Sequence, residues 1–302
     1  MATKATDLTT SSPVPSKPTT PRPRDHPVAE PPSLPPSIKA SPPEIHNLTF
    51  PVKDEYHGSA HGFLHISPSI TQAPPPNTAA ILLSGAGGGV TGPSGMFLSL
   101  GAKLPALASR IPVLRLDYRY PARTKPCVAD TQAAMTYLTE NFGIQRFVLV
   151  GWSFGGAPVY TVAGRDERVV GAATVASQTA DALTGAREAG RRGIPVLLMH
   201  GTGDQTLSSW CSKNLLEAWF KGYQGKDDEL AKLALFEDDD HSLRRNAKKA
   251  EEMMANFIVQ CAGENIKDGE QGVVKSDVLG DSEQRREIME KGGDLRGKEN
   301  IE

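Results

Sequence analysis

Short apolar runs alternate with amphipathic stretches through the middle of this chain. Residues 48–52 and 62–66 read as short strands, joined by a hairpin around His57-Gly58. Further runs at 79–83, 112–116, 147–150, 169–175, 195–199 and 231–236 are apolar and of strand length. Between them lie segments of helical period, at 96–107, 128–142, 153–163, 180–191, 208–220 and 243–259. Ala134, Met135, Leu138 and Phe142 share one helix face, as do Ala247, Ala250, Met254, Phe257 and Cys261. Continuously apolar strands alternating with helices imply a parallel sheet covered on both faces. The first two strands are expected antiparallel at one edge.

The ends break this pattern. Half of the 24 prolines fall in residues 1–43, and 18 of the 41 residues from Ala262 to Glu302 are charged. Neither end offers enough apolar surface for a core, so both read as disordered. The expected organisation is a Pro-rich tail at 1–44, one domain at 45–261 and a charged tail at 262–302, with a marginal helix near 282–291. Residues 31–37 (PPSLPPS) read as an unstructured leader, or as polyproline II that docks a small recognition domain.

Composition excludes several functions. No apolar run approaches the roughly 18 residues of a membrane span. A formal net charge of −2 gives no electrostatic case for nucleic acid. The three cysteines, Cys127, Cys211 and Cys261, form no metal or redox motif and suit a reducing compartment. The first residues lack an apolar signal core, so a cytoplasmic location is expected and the Asn47-Leu48-Thr49 sequon is expected to be idle.

The chemistry concentrates at Gly151-Trp152-Ser153-Phe154-Gly155-Gly156, a GxSxG placed after a strand and before a helix. A serine perched on so sharp a turn needs neighbours without bulk two residues away on each side. A serine hydroxyl also needs a base, and the base needs an orienting acid. After Ser153 the histidines are His200 and His241. His200 ends a strand and reads as structural; His241 follows the last strand and is the expected base. Asp204, in the Gly201-Thr202-Gly203-Asp204 turn after a strand, is the expected acid, with Asp181, Asp238, Asp239 and Asp240 as rivals. The consecutive aspartates at 238–240 read as a solvated turn. The backbone N–H groups of Phe154 and Ala86 are the expected oxyanion donors, with Gly87 as the alternative to Ala86.

Gly87-x-Gly89-x-x-Gly92 also matches a dinucleotide-binding fingerprint, with Asp117 after the next strand. That reading leaves Ser153, Asp204 and His241 without a role. Asp117 more simply anchors its loop, paired with Arg115 or Arg119.

LLSGAGGG at 82–89, LRLDYRYP at 114–121, GWSFGG at 151–156, LLMHGTGD at 197–204 and DDDHSL at 238–243 resemble the α/β-hydrolase superfamily. The resemblance is to its compact dienelactone-hydrolase-like and prolyl-oligopeptidase-like serine members. It implies an α/β fold with a central, mostly parallel eight-stranded sheet, a serine nucleophile at Ser153 with Asp204 and His241, and no metal or cofactor. The stretch between Val175 and Pro195 has room for one helix and no cap domain, so the expected substrate is a small or exposed ester, thioester or amide. The alternative is a catalytically silent scaffold of the same fold that binds protein partners.

Overall fold

The computed structural model describes residues 30–36, 38, 41–68, 76–119 and 121–295. Eight strands form one sheet: β1 (Glu44–Pro51), β2 (Ser59–Ile66), β3 (Thr78–Leu83), β4 (Val113–Asp117), β5 (Arg146–Trp152), β6 (Val169–Val175), β7 (Val196–Gly201) and β8 (Ala231–Phe236). Their spatial order is β1-β2-β4-β3-β5-β6-β7-β8. The pairs β1–β2 and β2–β4 are antiparallel, and every later pair is parallel. Helices α1 (Met96–Lys103), α2 (Thr124–Phe142), α3 (Gly156–Ala163), α4 (Leu183–Arg191), α5 (Trp210–Gly222) and α6 (Ala247–Cys261) cover it. The result is the fold that the resemblance implies, a central, mostly parallel sheet of eight strands. The connection from β6 to β7 holds α4 and no inserted domain.

The period-two alternation along the strands separates two cores. Ile81, Leu83, Leu114, Leu149 and Leu198 face one side with Leu138, Tyr160 and Trp219. Ala80, Leu82, Val113, Val148 and Val150 face the other with Phe97, Leu100, Met254 and Ile258. Both faces bury apolar side chains, so the central strands read as continuous apolar runs.

The charged segment after Ala262, expected to be disordered, is folded onto the second core. It forms α7 (Gln271–Lys275) and α8 (Ser282–Gly292), and buries Val273, Val274, Leu279 and Met289. Asp281 caps α8 by accepting from the N–H of Glu283 and Gln284, each at 3.0 Å. The segment's two buried charges, Arg285 and Asp294, are satisfied by partners. Glu251 of α6 accepts from Ser99 Oγ (2.8 Å), Lys103 Nζ (3.0 Å) and the Arg285 guanidinium of α8 (2.6 Å), all buried. Arg285 also bonds Asp277 at 3.0 Å. Hydropathy counts such residues as tail; complementary charge lets them be core.

At the other end, residues 1–29 and Ser37 lie outside the described residues, and with them most of the Pro-rich stretch. Leu34 and Ile38 pack against the second core instead of forming a free leader.

Candidate active site

Ser153 lies where β5 ends, in the 3₁₀ turn Ser153–Gly155 that leads into α3. It is buried with φ 54°, a left-handed backbone that costs a non-glycine residue of order 1–3 kcal/mol. The surroundings hold it there. A Cβ at Gly151 would sit 2.5 Å from the Gly155 backbone, and one at Gly155 would sit 2.5 Å from Leu83 O and 2.7 Å from Ser84 O. The turn is packed backbone to backbone against the end of β3, which leaves no space for a side chain at either position.

Asp204 follows β7 and its side chain is fully buried. Its Oδ1 accepts from the N–H of Thr206 (2.7 Å) and Leu207 (3.0 Å). Its Oδ2 lies 2.7 Å from His241 Nδ1 and 3.1 Å from His200 Nε2. His200 Nε2 also faces Leu207 O at 3.0 Å, while its Nδ1 faces Ser212 Oγ at 2.7 Å. Two oxygen acceptors at Nε2 assign the His200 proton there, and Ser212 donates to Nδ1. Burial alone would raise the Asp204 carboxyl's pKa; the hydrogen bonds from His200 and His241 outweigh it and hold the carboxyl well below the ordinary range.

His241 stands after β8 with 14% of its side chain exposed. Its loop is tied from several directions. Trp152 Nε1 donates to His241 O at 3.0 Å, and the two rings lie 5.5 Å apart. Ser94 Oγ donates to Ser242 O at 2.8 Å. Asp239, expected in a solvated turn, is instead buried. It accepts from the N–H of Arg245 (3.0 Å) and Asn246 (2.9 Å) and from Asn246 Nδ2 (2.8 Å), fastening the chain before α6. The structure thus joins Asp204 directly to His241, and sets His241 against Trp152, the residue before Ser153. An imidazole whose Nδ1–H is held by a carboxylate keeps its lone pair at Nε2, the form that accepts a proton. The rivals play other parts: Asp181 accepts from Thr124 Oγ1 at 2.8 Å, and Asp240 from the N–H of Ser242 at 3.0 Å.

Ala86 and Gly87 lie inside the turn that Gly88 N–H closes onto Gly85 O at 3.0 Å. Tyr118, which the sequence reading passed over for its neighbour Asp117, fastens this turn. Its hydroxyl donates to Ser84 O (2.6 Å) and to Gly85 O, and its ring meets Phe154 edge to face at 6.1 Å. Arg119 bonds Asp54 and Asp130, each at 2.6 Å, and buried Arg115 bonds His65 Nε2 at 2.8 Å.

The other residue that sequence reasoning missed is Asp294, just past α8. Its carboxylate accepts from the N–H groups of Val90, Thr91 and Gly92 and from the hydroxyls of Ser84 and Thr91. The amides at 90–92 are bound to this chain's own carboxylate, and two of the three glycines of the GxGxxG, Gly89 and Gly92, lie against it. Among the described residues no three His, Cys, Asp or Glu side chains are grouped to hold a metal ion.

Comparison with known proteins follows this geometry. A profile of the alpha/beta hydrolase family matches residues 80–265. No curated protein matches the chain. The esterase domain of a Rhodothermus marinus protein superposes with a TM-score of 0.52 at 15% identity, over 71% of this chain and 99% of its own. The esterase Est1E from Butyrivibrio proteoclasticus gives 0.55 at 12% identity, over 72% and 99%. A puromycin hydrolase gives 0.57 at 16% identity over 74% of this chain, which spans 40% of that larger protein. Identities this low speak to fold.

Proposed function

The chain belongs to the alpha/beta hydrolase family, and on that premise we propose that it is a serine hydrolase that cleaves a small or exposed acyl compound, most simply a carboxylic ester. The observation that carries this reading is the 2.7 Å contact between Asp204 and His241 beside the strained serine turn.

In the proposed cycle, His241 Nε2 takes the Ser153 hydroxyl proton as Oγ attacks the substrate carbonyl. The carbonyl oxygen becomes an oxyanion held by the N–H groups of Phe154 and Ala86. The tetrahedral adduct collapses, the C–O bond to the leaving group breaks, and the imidazolium returns the proton to the departing alkoxide. Water then attacks the acyl-enzyme with His241 again as base. The acid is released, and Ser153 regains its proton. Asp204 remains ionised throughout, stabilising the imidazolium formed in each half. Its depressed pKa supports that role.

The connection between β6 and β7 has no cap, so the proposed site is open and favours short acyl chains. No helix among the described residues is long and apolar enough to cross a membrane. The three cysteines are free thiols, which supports a reducing, cytoplasmic setting. A fluorophosphonate probe tests the nucleophile. Stoichiometric labelling of the parent and none of Ser153→Ala is expected; labelling elsewhere, or an unlabelled parent, ends the proposal. A series of p-nitrophenyl esters tests the substrate class, with acetate or butyrate expected to exceed chains of about ten carbons in kcat/KM.

A further inference from the structure

We propose that Asp294 is a positioning residue for the glycine-rich loop, and that the segment around α8 clamps both loops on which the hydrolase chemistry depends. The catalytic consequence rests on the serine-hydrolase reading; the clamp itself does not.

A loop that supplies an oxyanion donor must be rigid before the substrate arrives, because a donor that has to reorganise loses its advantage. The loop from Ser84 to Gly92 has glycine at 85, 87, 88, 89 and 92, the composition with the most backbone freedom to lose. Its five glycines offer no side chain to hold, so the backbone must be held as well. Two groups of opposite polarity do this. The Tyr118 hydroxyl donates to the carbonyls at the start of the loop. The Asp294 carboxylate collects the donors at its end and one hydroxyl at its start. Oδ1 takes Ser84 Oγ at 2.5 Å and Gly92 N–H at 2.8 Å. Oδ2 takes Thr91 Oγ1 at 2.6 Å, Thr91 N–H at 3.0 Å and Val90 N–H at 3.2 Å. Ala86 and Gly87 lie between these two fastenings.

The fit is close. Gly89 has φ +96°, and a Cβ there would stand 2.5 Å from Asp294 Cγ. Three consecutive amides converging on one carboxylate form an anion nest. Asp294 is buried, and burial raises its pKa against these hydrogen bonds. The buried Arg115 guanidinium, which donates to Val90 O at 3.2 Å, supplies the countercharge.

A second path runs from the same segment. Arg285 of α8 donates to Ser94 O at 2.9 Å, and Ser94 Oγ donates to Ser242 O, next to His241. Ser94 itself has φ 50°, a conformation that these two bonds hold from both sides. The segment therefore reaches the glycine loop through Asp294 and the His241 loop through Arg285.

The test removes the carboxylate and then returns it from solution. Asp294→Gly should speed amide exchange in 84–92 at least about tenfold, while exchange in β5 and β6 stays at the parent rate. With p-nitrophenyl acetate, kcat should fall about a hundredfold, in the range seen when one oxyanion donor is lost, with KM within about threefold. Formate at about 100 mM should occupy the vacated nest, slow the loop's exchange and restore kcat about tenfold, without affecting the parent. Unchanged exchange in 84–92, or faster exchange throughout the sheet that formate does not reverse, overturns the clamp. Where Asp294→Gly does not fold, Asp294→Asn preserves the volume but opposes donor to donor; exchange confined to 84–92 is again expected, and parent-like exchange again overturns the proposal. A parent that the fluorophosphonate does not label sinks the hydrolase reading alone, because exchange still decides the clamp.

Discussion

Replacing Asp204 by asparagine changes one oxygen to an NH₂, and the surrounding hydrogen bonds decide where that NH₂ points. Turned toward the Oδ1 position, it would oppose the N–H groups of Thr206 and Leu207, which are 2.7 and 3.0 Å away and can only donate. Each buried N–H left facing a donor costs about 1–3 kcal/mol. Turned toward the Oδ2 position, it faces His241 Nδ1 at 2.7 Å and His200 Nε2 at 3.1 Å. Imidazoles can move a proton between nitrogens and peptide groups cannot, so the amide takes this second orientation. His241 must then accept at Nδ1 and carry its proton on Nε2, the tautomer that cannot receive one from Ser153. In a serine protease the same exchange lowers kcat by about 10⁴, or about 5.4 kcal/mol in the barrier. The Asp204→Asn protein should therefore hydrolyse p-nitrophenyl acetate about 10⁴-fold more slowly than the parent, and react with a fluorophosphonate correspondingly slowly. Its urea midpoint should show that it is folded. A folded variant within tenfold of the parent would refute the tautomer argument and with it the role proposed for Asp204.

Three further outcomes are expected. Glu251→Gln removes the shared partner of buried Lys103 and Arg285; urea titration should show a loss of about 3–5 kcal/mol, partly recovered by adding Lys103→Met, and no recovery would mean the pair is not coupled as described. Gly155→Ala drives a Cβ against Leu83 O, which belongs to the sheet and cannot yield; a loss of about 1–3 kcal/mol and about hundredfold slower fluorophosphonate labelling should follow, whereas parent-like labelling would contradict the packing of the turn. The folded pKa of Asp204 is held below its unfolded value of 3.8, so its stabilisation is complete above that value and is lost as pH falls through the folded pKa; the stability gap between parent and Asp204→Asn should be constant near neutrality and shrink below about pH 4, and a gap that widens there has the wrong sign.

The strand–turn–helix at 147–163 was legible because its signals are local: an apolar run, two glycines around a serine, then a helical period. The carboxyl ends of β7 and β8 were legible too, since parallel strands bring the turns that follow them to one side of the sheet. Asp204 and His241 do meet there. Asp294 had no comparable signal. Its partners lie about 200 residues away, and its neighbours Gly292, Gly293 and Leu295 belong to no periodic pattern. The segment before it misled for a related reason. Hydropathy scores each residue alone, but Arg285 and Glu251 are buried because they meet each other. Asp239 was misread as solvent-facing on the same ground: three adjacent aspartates suggest water, yet the middle one binds four donors.

The folding of residues 262–295 carries the domain past Cys261. A shortened gene ending at Cys261, the stop that amphipathic periodicity recommends, would open the second core, from which it removes Val273, Val274 and Met289. It would also strip Glu251 of one of its two cations in the same cut. The product would present a sticky, unbalanced face to its neighbours, and inclusion bodies are the expected harvest.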